Sequence, residues 1–263
     1  MNNNFDINNS NDFESIVNKT QNGRIPFIGE SFQELYRGQS KDSYILKSGI
    51  SRYADSVKEL KELEKNVLND FKILIEKSPI GSRMIQLNHK DPYFENDWRW
   101  IEQIQHYRIP TRLLDWSLDP KIALFFAVES NEKEVGQFWV FKSPLTWSCD
   151  DHFEYNPYSD QIDIISNSSF YVEEDYKDKV AEQRRSFQSG KFTFQDCRKT
   201  MIALESQDEL KEKMIKYTIN PKAKNELLEY LLKFNIEEKT IYVEYDDEIE
   251  SLVKEIKDKY NFR

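Results

Sequence analysis

The chain has 263 residues, and its 47 acidic and 37 basic side chains give a formal net charge of −10. Aromatic residues make up 14% and hydrophobic residues 38%, a content that excludes a disordered chain and a simple coiled coil. The acidic net charge argues against a strongly basic nucleic-acid-binding protein, although it does not exclude a local basic groove. A chain of this length can form one domain with a sizeable core.

Metal sites and membrane spans are not expected. Cys149 and Cys197 lie far apart, and the chain holds three histidines, so the ligand spacing of a structural zinc site is missing. No apolar run approaches the roughly 20 residues that a membrane span requires, and the polar, Asn-rich start is unlike a secretory signal. We therefore expect a cytoplasmic protein without metal and without a membrane partner.

Residues 1–30 are interpreted as a polar lead-in to a single domain over 31–263. A strand is predicted over 35–38, and apolar residues at spacings of three and four predict a long helix over 57–75. A second helix is predicted over 97–107, then a strand over 111–116. Asp119 and Pro120 are typical of a helix start, here of an almost wholly apolar helix that ends at Val128 and precedes a strand over 137–141.

The second half is predicted as an irregular acidic insertion near 144–178, followed by strands over 190–194, 201–204, 214–219 and 240–245. Asn220 and Pro221 start a helix that stops near residue 235, and its leucines are expected to face inward: Leu227, Leu228, Leu231 and Leu232. Asp246 or Asp247 caps a terminal helix. Strands and helices alternate without a regular βαβ rhythm, so the fold class is α+β.

The stretch richest in reactive side chains runs from 105 to 116. In an extended strand, Thr111 and Asp115 face one side and Arg112 faces the other. A buried Arg or Asp needs a partner, so a structural Arg112–Asp115 pair is one interpretation and a ligand site is the other. His106 lies four residues after Glu102, which also fits a plain ion pair along a helix.

Two blocks of sequence closely resemble the FRG domain, a bacterial family named for its Phe/Tyr-Arg-Gly signature. The first block is Leu35-Tyr-Arg-Gly-Gln39. The second block comprises Gln105-His-Tyr107, Pro110-Thr-Arg-Leu-Leu-Asp-Trp-Ser117 and Ala123-Leu-Phe-Phe-Ala127. The resemblance covers about 35–142, with looser motifs at 184–192 and 235–242. The chain departs from the family pattern at three positions: Tyr36 for Phe, Arg108 for Gly and Ser117 for Thr.

The order of these blocks also resembles the Arg–Ser–Glu class of ADP-ribosyltransferases. This likeness implies a mixed sheet core of that type with flanking helices, and NAD as the substrate. The residues that it implies for NAD binding are Arg37, Gly38, Thr111, Arg112 and Ser117. Those that it implies for catalysis are His106, Asp115, Glu182 and Gln188, with Glu182 or Gln188 acting near the ribose.

The implied function is transfer of ADP-ribose from NAD to a protein or nucleic-acid acceptor, in a toxin or anti-phage effector with an antitoxin as partner. The alternatives are a non-catalytic nucleotide or nucleic-acid binding module and a purely structural core. A transferase requires a catalytic Glu, whereas the binding module lacks one. The sequence offers no unambiguous position for this Glu. A shared site further requires Arg37, His106, Arg112 and Asp115 to converge on one cleft.

Overall fold

The computed structural model describes residues 5–22, 32–78, 97–144, 156–158, 165–166, 190–242 and 247–262. The strands are β1 Phe32–Gln39, β2 Leu114–Ser117, β3 Gly136–Pro144, β4 Ile165–Ser166, β5 Gly190–Phe194 and β6 Met214–Ile219. The α-helices are α1 Ser10–Asn22, α2 Val57–Lys77, α3 Asp97–His106, α4 Pro120–Val128, α5 Cys197–Thr200, α6 Lys224–Leu232, α7 Glu238–Ile241 and α8 Asp247–Tyr260.

The described strands form one antiparallel sheet in the order β4-β5-β2-β1-β3-β6, in which β4 is a two-residue edge. Strand β1 is central and pairs with β3 along its whole length. Helices flank the sheet, which confirms the predicted α+β class, whereas the described strands pair antiparallel rather than in the mixed sheet that was predicted. No helix among the described residues combines the length and apolar character needed to cross a membrane.

Strand β1 and helix α4 are in close contact at Gly38. A Cβ atom on Gly38 would overlap the carbonyl oxygen of Ala123 and lie 2.6 Å from the backbone nitrogen of Ala127. Gly136 on the neighbouring strand is similarly close, since its Cβ would lie 2.8 Å from the carbonyl oxygen of Ala127. Small residues on both surfaces therefore let the apolar helix lie directly on the sheet.

Replacing Gly38 with Ala should destabilise the fold by about 1–3 kcal/mol or more. The backbone of α4 occupies the position of the new Cβ atom and cannot rotate away as a side chain could. Gly190→Ala is the matched control, since a Cβ at this other strand glycine meets nothing within 4 Å. Urea denaturation of both variants measures the difference. Equal stabilities would contradict the packing role of Gly38.

Two large clusters of buried side chains form much of the core in the described part of the chain. One lies between the sheet and helices α1, α4 and α6, and it includes Phe13, Leu124, Phe138 and Leu227. The other joins α2, α3 and α8 through side chains that include Phe71, Trp100, Ile104, Val253 and Ile256. The segment interpreted as a polar lead-in thus contains α1, whose Phe13 is fully buried.

Two predicted strands are wrong. Residues 201–203 instead close the short helix α5, since the Met201 and Ile202 amides donate to carbonyls of that helix. The residues 240–241 belong to α7, where the Glu237 amide donates to Thr240 Oγ1 at 3.0 Å in a capping box. Residues 243–246 of that predicted strand lie outside the described residues.

Smaller differences concern β2 and α6. Strand β2 begins at residue 114 rather than 111, because Thr111 Oγ1 accepts the amide of Leu113 and turns the chain locally. In α6, Leu227 and Leu231 are fully buried as predicted, whereas Leu232 is 55% exposed. Most of the predicted insertion near 144–178 lies outside the described residues.

Candidate functional site

A cleft of about 770 Å³ opens beside β1 and α4, within the usual size range of small-molecule sites. The end of β1, strand β2, the chain after α3 and the 44–52 loop form its walls, and the start of β5 closes one side. One stripe of α4 contributes Ile122, Ala123 and Phe126. Trp116 and Phe192 add further aromatic surface. The site is therefore partly apolar, with polar groups supplied by β1, β2, the 44–52 loop, the end of α3 and the start of β5.

Arg37 enters the cleft from β1 and is held by Asp115. Its Nη1 donates to the backbone carbonyl of Asp115 and lies 3.9 Å from the Asp115 carboxylate. Within the described part of the chain, its Nε is buried and has no hydrogen-bond partner. Burial is the main cause that lowers the pKa of Arg37; Asp115 opposes this effect, and the like charge of Arg52 adds to it. A buried donor without an acceptor is costly, so Arg37 is suited to an anionic ligand.

The carboxylate of Asp115 is oriented by a short chain of side chains. Gln105 Nε2 donates to Asp115 Oδ2 at 2.9 Å, and Gln105 Oε1 accepts the Thr111 hydroxyl at 2.7 Å. The Thr111 side chain is buried and does not line the cleft. Thr111 therefore acts on the site indirectly, through Gln105 and Asp115.

His106 and Ser117 both line the cleft. His106 Nε2 lies 3.4 Å from Glu102 Oε1, which confirms the predicted pair one helical turn apart. Ser117 Oγ accepts the amide of Asp119 at 3.0 Å, just before α4 begins. Gly38 also borders the cleft, but the room that its missing side chain leaves is filled by α4 rather than by a ligand.

Arg112 lies behind the cleft rather than in its wall, which corrects its predicted placement at the site. It is 2% exposed, and its Nε donates to Glu64 Oε2 of α2 at 2.6 Å. Nη1 and Nη2 donate to the backbone carbonyls of Gln195 and Pro157. The ion-pair partner of Arg112 is thus Glu64 and not Asp115, and of the four residues expected to converge, Arg37, His106 and Asp115 do so.

Residues 33–135 match the sequence model of the FRG domain. The chain contains an FRG domain. Comparison with curated proteins found no match, and comparison with solved structures found none either. The matched range runs from β1 through α4 and includes Arg37, Gln105 and Asp115, so the FRG domain supplies most of the cleft.

The Tyr-Arg-Gly signature of this FRG domain has a distinct role at each position. Tyr36 is buried and stacks on Phe138 with ring centroids 5.8 Å apart. Arg37 points into the cleft, and Gly38 makes room for α4. All three residues border the cleft, but Tyr36 and Gly38 act in packing, whereas Arg37 presents its guanidinium to the cleft.

The cleft is basic although the chain is acidic. Its described walls carry two carboxylates, Asp115 and Glu129, and five basic side chains: Arg37, Lys47, Arg52, Arg108 and Lys191. Lys47 and Lys191 lie far apart in sequence, and Arg108 is exposed beyond the end of α3. Sequence reasoning missed four of these five cations because only the fold brings them together. The accumulated positive charge favours an anionic ligand.

Two residues proposed for catalysis, Glu182 and Gln188, lie outside the described residues. Among the described cleft residues, the two carboxylates are both hydrogen-bonded. Asp115 accepts from Gln105, and Glu129 Oε2 accepts from the Tyr242 hydroxyl at 2.5 Å. Burial raises the pKa of Glu129, and the Tyr242 hydrogen bond opposes that rise.

Proposed function

We propose that the cleft binds NAD and that the FRG domain transfers ADP-ribose from it to a protein or nucleic-acid acceptor. The observation that carries this proposal is Arg37, whose buried Nε has no acceptor among the described residues while its Nη1 is already held by Asp115. A guanidinium fixed on one side and unsatisfied on another is suited to grip a pyrophosphate.

Two further properties support a dinucleotide. The described walls combine an excess of basic over acidic side chains with the aromatic surfaces of Trp116, Phe126 and Phe192. The basic side chains favour phosphate groups, and the aromatic surfaces favour planar bases. The arrangement of strand-borne Arg37 followed by the Ser117 strand and α4 also agrees with the resemblance to Arg–Ser–Glu transferases.

In the proposed reaction, the bond between the ribose C1′ and the nicotinamide nitrogen breaks, and its electron pair leaves with nicotinamide. The acceptor's nucleophilic atom then bonds to C1′ and gives up its proton to a base. An oxocarbenium-like transition state is stabilised by a nearby carboxylate, for which Asp115 and Glu182 are the candidates. Arg37 would hold the phosphates, and His106 would border the reacting sugar.

A non-catalytic nucleotide-binding module is the second candidate. One observation favours it: each carboxylate of the described cleft is engaged by a neighbour, Asp115 by Gln105 and Glu129 by Tyr242. Such groups are less available to stabilise a developing positive charge. This module would bind NAD through the same Arg37 and release no nicotinamide.

The test combines calorimetric titration of NAD into the purified chain with an assay for nicotinamide released in the presence of NAD and cell lysate. The transferase proposal expects both binding and a steady release of nicotinamide. Binding without release would leave the non-catalytic module. Absence of NAD binding would overturn both.

A further inference from the structure

Gln39, the last residue of β1, carries a second unsatisfied polar atom at the cleft. Among the described residues, three buried side-chain nitrogen or oxygen atoms have no hydrogen-bond partner: Arg37 Nε, Gln39 Oε1 and Tyr158 Oη. Arg37 and Gln39 line the cleft, whereas Tyr158 does not. Gln39 is 6% exposed, so bulk solvent does not compensate for the missing donor. A buried acceptor without a donor is costly, and this one belongs to the wall of a binding cleft.

The orientation of the Gln39 amide is fixed by the loop beside it. Its Nε2 donates to the backbone carbonyl of Ile45 at 3.3 Å, and that carbonyl also accepts the Lys47 amide at 2.8 Å. A carbonyl accepts hydrogen bonds and donates none, so Nε2 and not Oε1 must face Ile45. The last torsion of a glutamine side chain is broad, so a small rotation brings Oε1 to a ligand while this bond persists. The group that remains for a ligand is therefore an acceptor.

The neighbouring glutamine of the sheet shows what a purely structural amide looks like. Gln137 of β3 lies opposite Gln39 of β1, but it is fully buried and does not line the cleft. Its Nε2 donates to the backbone carbonyls of Lys41 and Tyr44. Its Oε1 accepts the indole N–H of Trp139 at 2.8 Å. The glutamine away from the cleft is thus fully engaged, whereas the one at the cleft keeps an open acceptor.

The side chains around Arg37 favour phosphate at the same end of the cleft. Lys47 and Arg52 also line the cleft, and Arg52 Nη2 donates to the Lys47 carbonyl at 3.2 Å. The carboxylate that acts on Arg37 is Asp115, which also accepts from Gln105. Three cations and one carboxylate therefore surround the position proposed for the pyrophosphate, which lies next to Gln39 along β1.

The open groups of Arg37 and Gln39 differ in kind, because one is a donor and the other an acceptor. Side chains two residues apart on a strand share a face and are separated by about 7 Å. Phosphate oxygens accept hydrogen bonds, so a phosphate satisfies Arg37 but not Gln39. In a nucleotide, one methylene group joins the phosphate to the ribose, and the base lies beyond the sugar. The spacing therefore favours a ribose hydroxyl as the donor to Gln39.

We infer that Gln39 Oε1 accepts a hydrogen bond from a ribose hydroxyl of the bound dinucleotide, next to the pyrophosphate that Arg37 holds. This inference rests on the proposed function, because it assumes that NAD occupies the cleft. A carboxylate accepts a ribose hydroxyl in many NAD sites. An amide oxygen performs the same task without placing a negative charge beside the phosphates. Gln39 is thus a specificity-determining residue that selects ribose over deoxyribose.

Calorimetric titration of NAD, and of NAD analogues that each lack one ribose hydroxyl, tests the inference in the full chain. At least one deoxy analogue should bind the wild type about tenfold more weakly than NAD, because it leaves the buried Gln39 oxygen without a donor. Analogues that lack a hydroxyl on the adenosine ribose or on the nicotinamide ribose identify which of the two sugars lies at Gln39.

Variants of Gln39 show whether this residue causes the discrimination. Gln39→Met removes the acceptor at similar volume and should bind NAD and the weak analogue equally. General damage to the site would instead weaken both ligands by one factor and keep their ratio. Gln39→Glu retains an acceptor oxygen and should retain the discrimination, although its charge weakens both ligands. Gln39→Asn, which draws the oxygen back by one carbon, should abolish the discrimination if Gln39→Met folds poorly.

Gln33→Met is the matched control. Gln33 lies on the same face of β1 as Gln39 but does not line the cleft, so this variant should keep both the affinity for NAD and the discrimination.

A wild type that binds every deoxy analogue as tightly as NAD would overturn the role of Gln39 and leave the proposed function standing. The same holds if Gln39→Met and Gln39→Asn keep the discrimination. A wild type that does not bind NAD overturns the proposed function and the inference together.

Discussion

Replacing Arg112 with Ala should reduce the free energy of unfolding by about 3–5 kcal/mol, because it leaves the Glu64 carboxylate buried without its cation. Both side chains are almost fully buried, and the Arg112 Nε–Glu64 Oε2 distance is 2.6 Å. The change also removes the arginine donor from the Pro157 carbonyl and from the Gln195 carbonyl, of which the latter still accepts the Thr200 hydroxyl. Denaturation with urea, followed by circular dichroism, measures the loss.

The matched control is Arg198→Ala, which removes an exposed arginine whose partner Asp196, although buried, still accepts the amides of residues 198 and 199. Its expected effect is about 0–1 kcal/mol. The double variant Arg112→Met with Glu64→Leu should lose less stability than the two single changes added together, since it removes both buried charges. A small effect of Arg112→Ala alone would contradict a structural role for this pair.

The same experiment separates the two interpretations of Arg112 that its sequence position allows. A ligand-binding arginine would lose affinity and keep its melting temperature. A buried Arg112–Glu64 pair predicts the reverse. Arg112→Ala then lowers the melting temperature, and the molecules that remain folded still bind NAD. Arg112 thereby fixes the start of β2 against α2 rather than contacting a ligand.

The elements that local sequence patterns predicted well are those whose stability is also local. Helix α2 shows apolar spacings of three and four along its length, and it begins after the Ser56 cap. Helix α4 starts with Asp119 and Pro120 and is buried nearly all round. In such segments the propensity, the capping and the burial agree, and sequence reasoning therefore succeeds.

The contacts that sequence reasoning missed join residues far apart in the chain. Arg112 and Glu64 are 48 positions apart. Lys224 is completely buried, where its Nζ donates to the backbone carbonyls of Ser40, Ser130 and Asn131. No periodicity marks such partners, because they depend on how the elements pack. Desolvation lowers the pKa of Lys224 to about 8.

The candidate site was predicted in part for the same reason. The alternation expected for a strand over 111–116 separated Asp115 from Arg112, although β2 begins only at residue 114, and the strand end at Arg37 was recognisable. The role of Gln105 was not, because its hydrogen bonds to Asp115 and Thr111 depend on how the end of α3 lies against β2. The collection of basic side chains around the cleft likewise arises only in three dimensions.

Replacing Arg37 with Lys should weaken NAD binding about a hundredfold, or about 3 kcal/mol, which is the expected worth of two charge-assisted hydrogen bonds. Lysine keeps the positive charge but lacks the planar fork that can bond Asp115 on one side and a phosphate on the other. The buried Nε of Arg37, which has no partner among the described residues, is the donor that such a phosphate would satisfy. Calorimetric titration of NAD into wild type and variant measures the change.

A purely structural Arg37 predicts a different result. Its bond to the Asp115 carbonyl joins β1 to β2, so Arg37→Lys would then lower the melting temperature and leave NAD affinity unchanged in the folded protein. Arg198→Lys, at an exposed arginine that does not line the cleft, controls for the substitution itself. A hundredfold loss of affinity at an unchanged melting temperature assigns Arg37 to the ligand, because an intact fold with a weakened site is the outcome that a structural role does not produce.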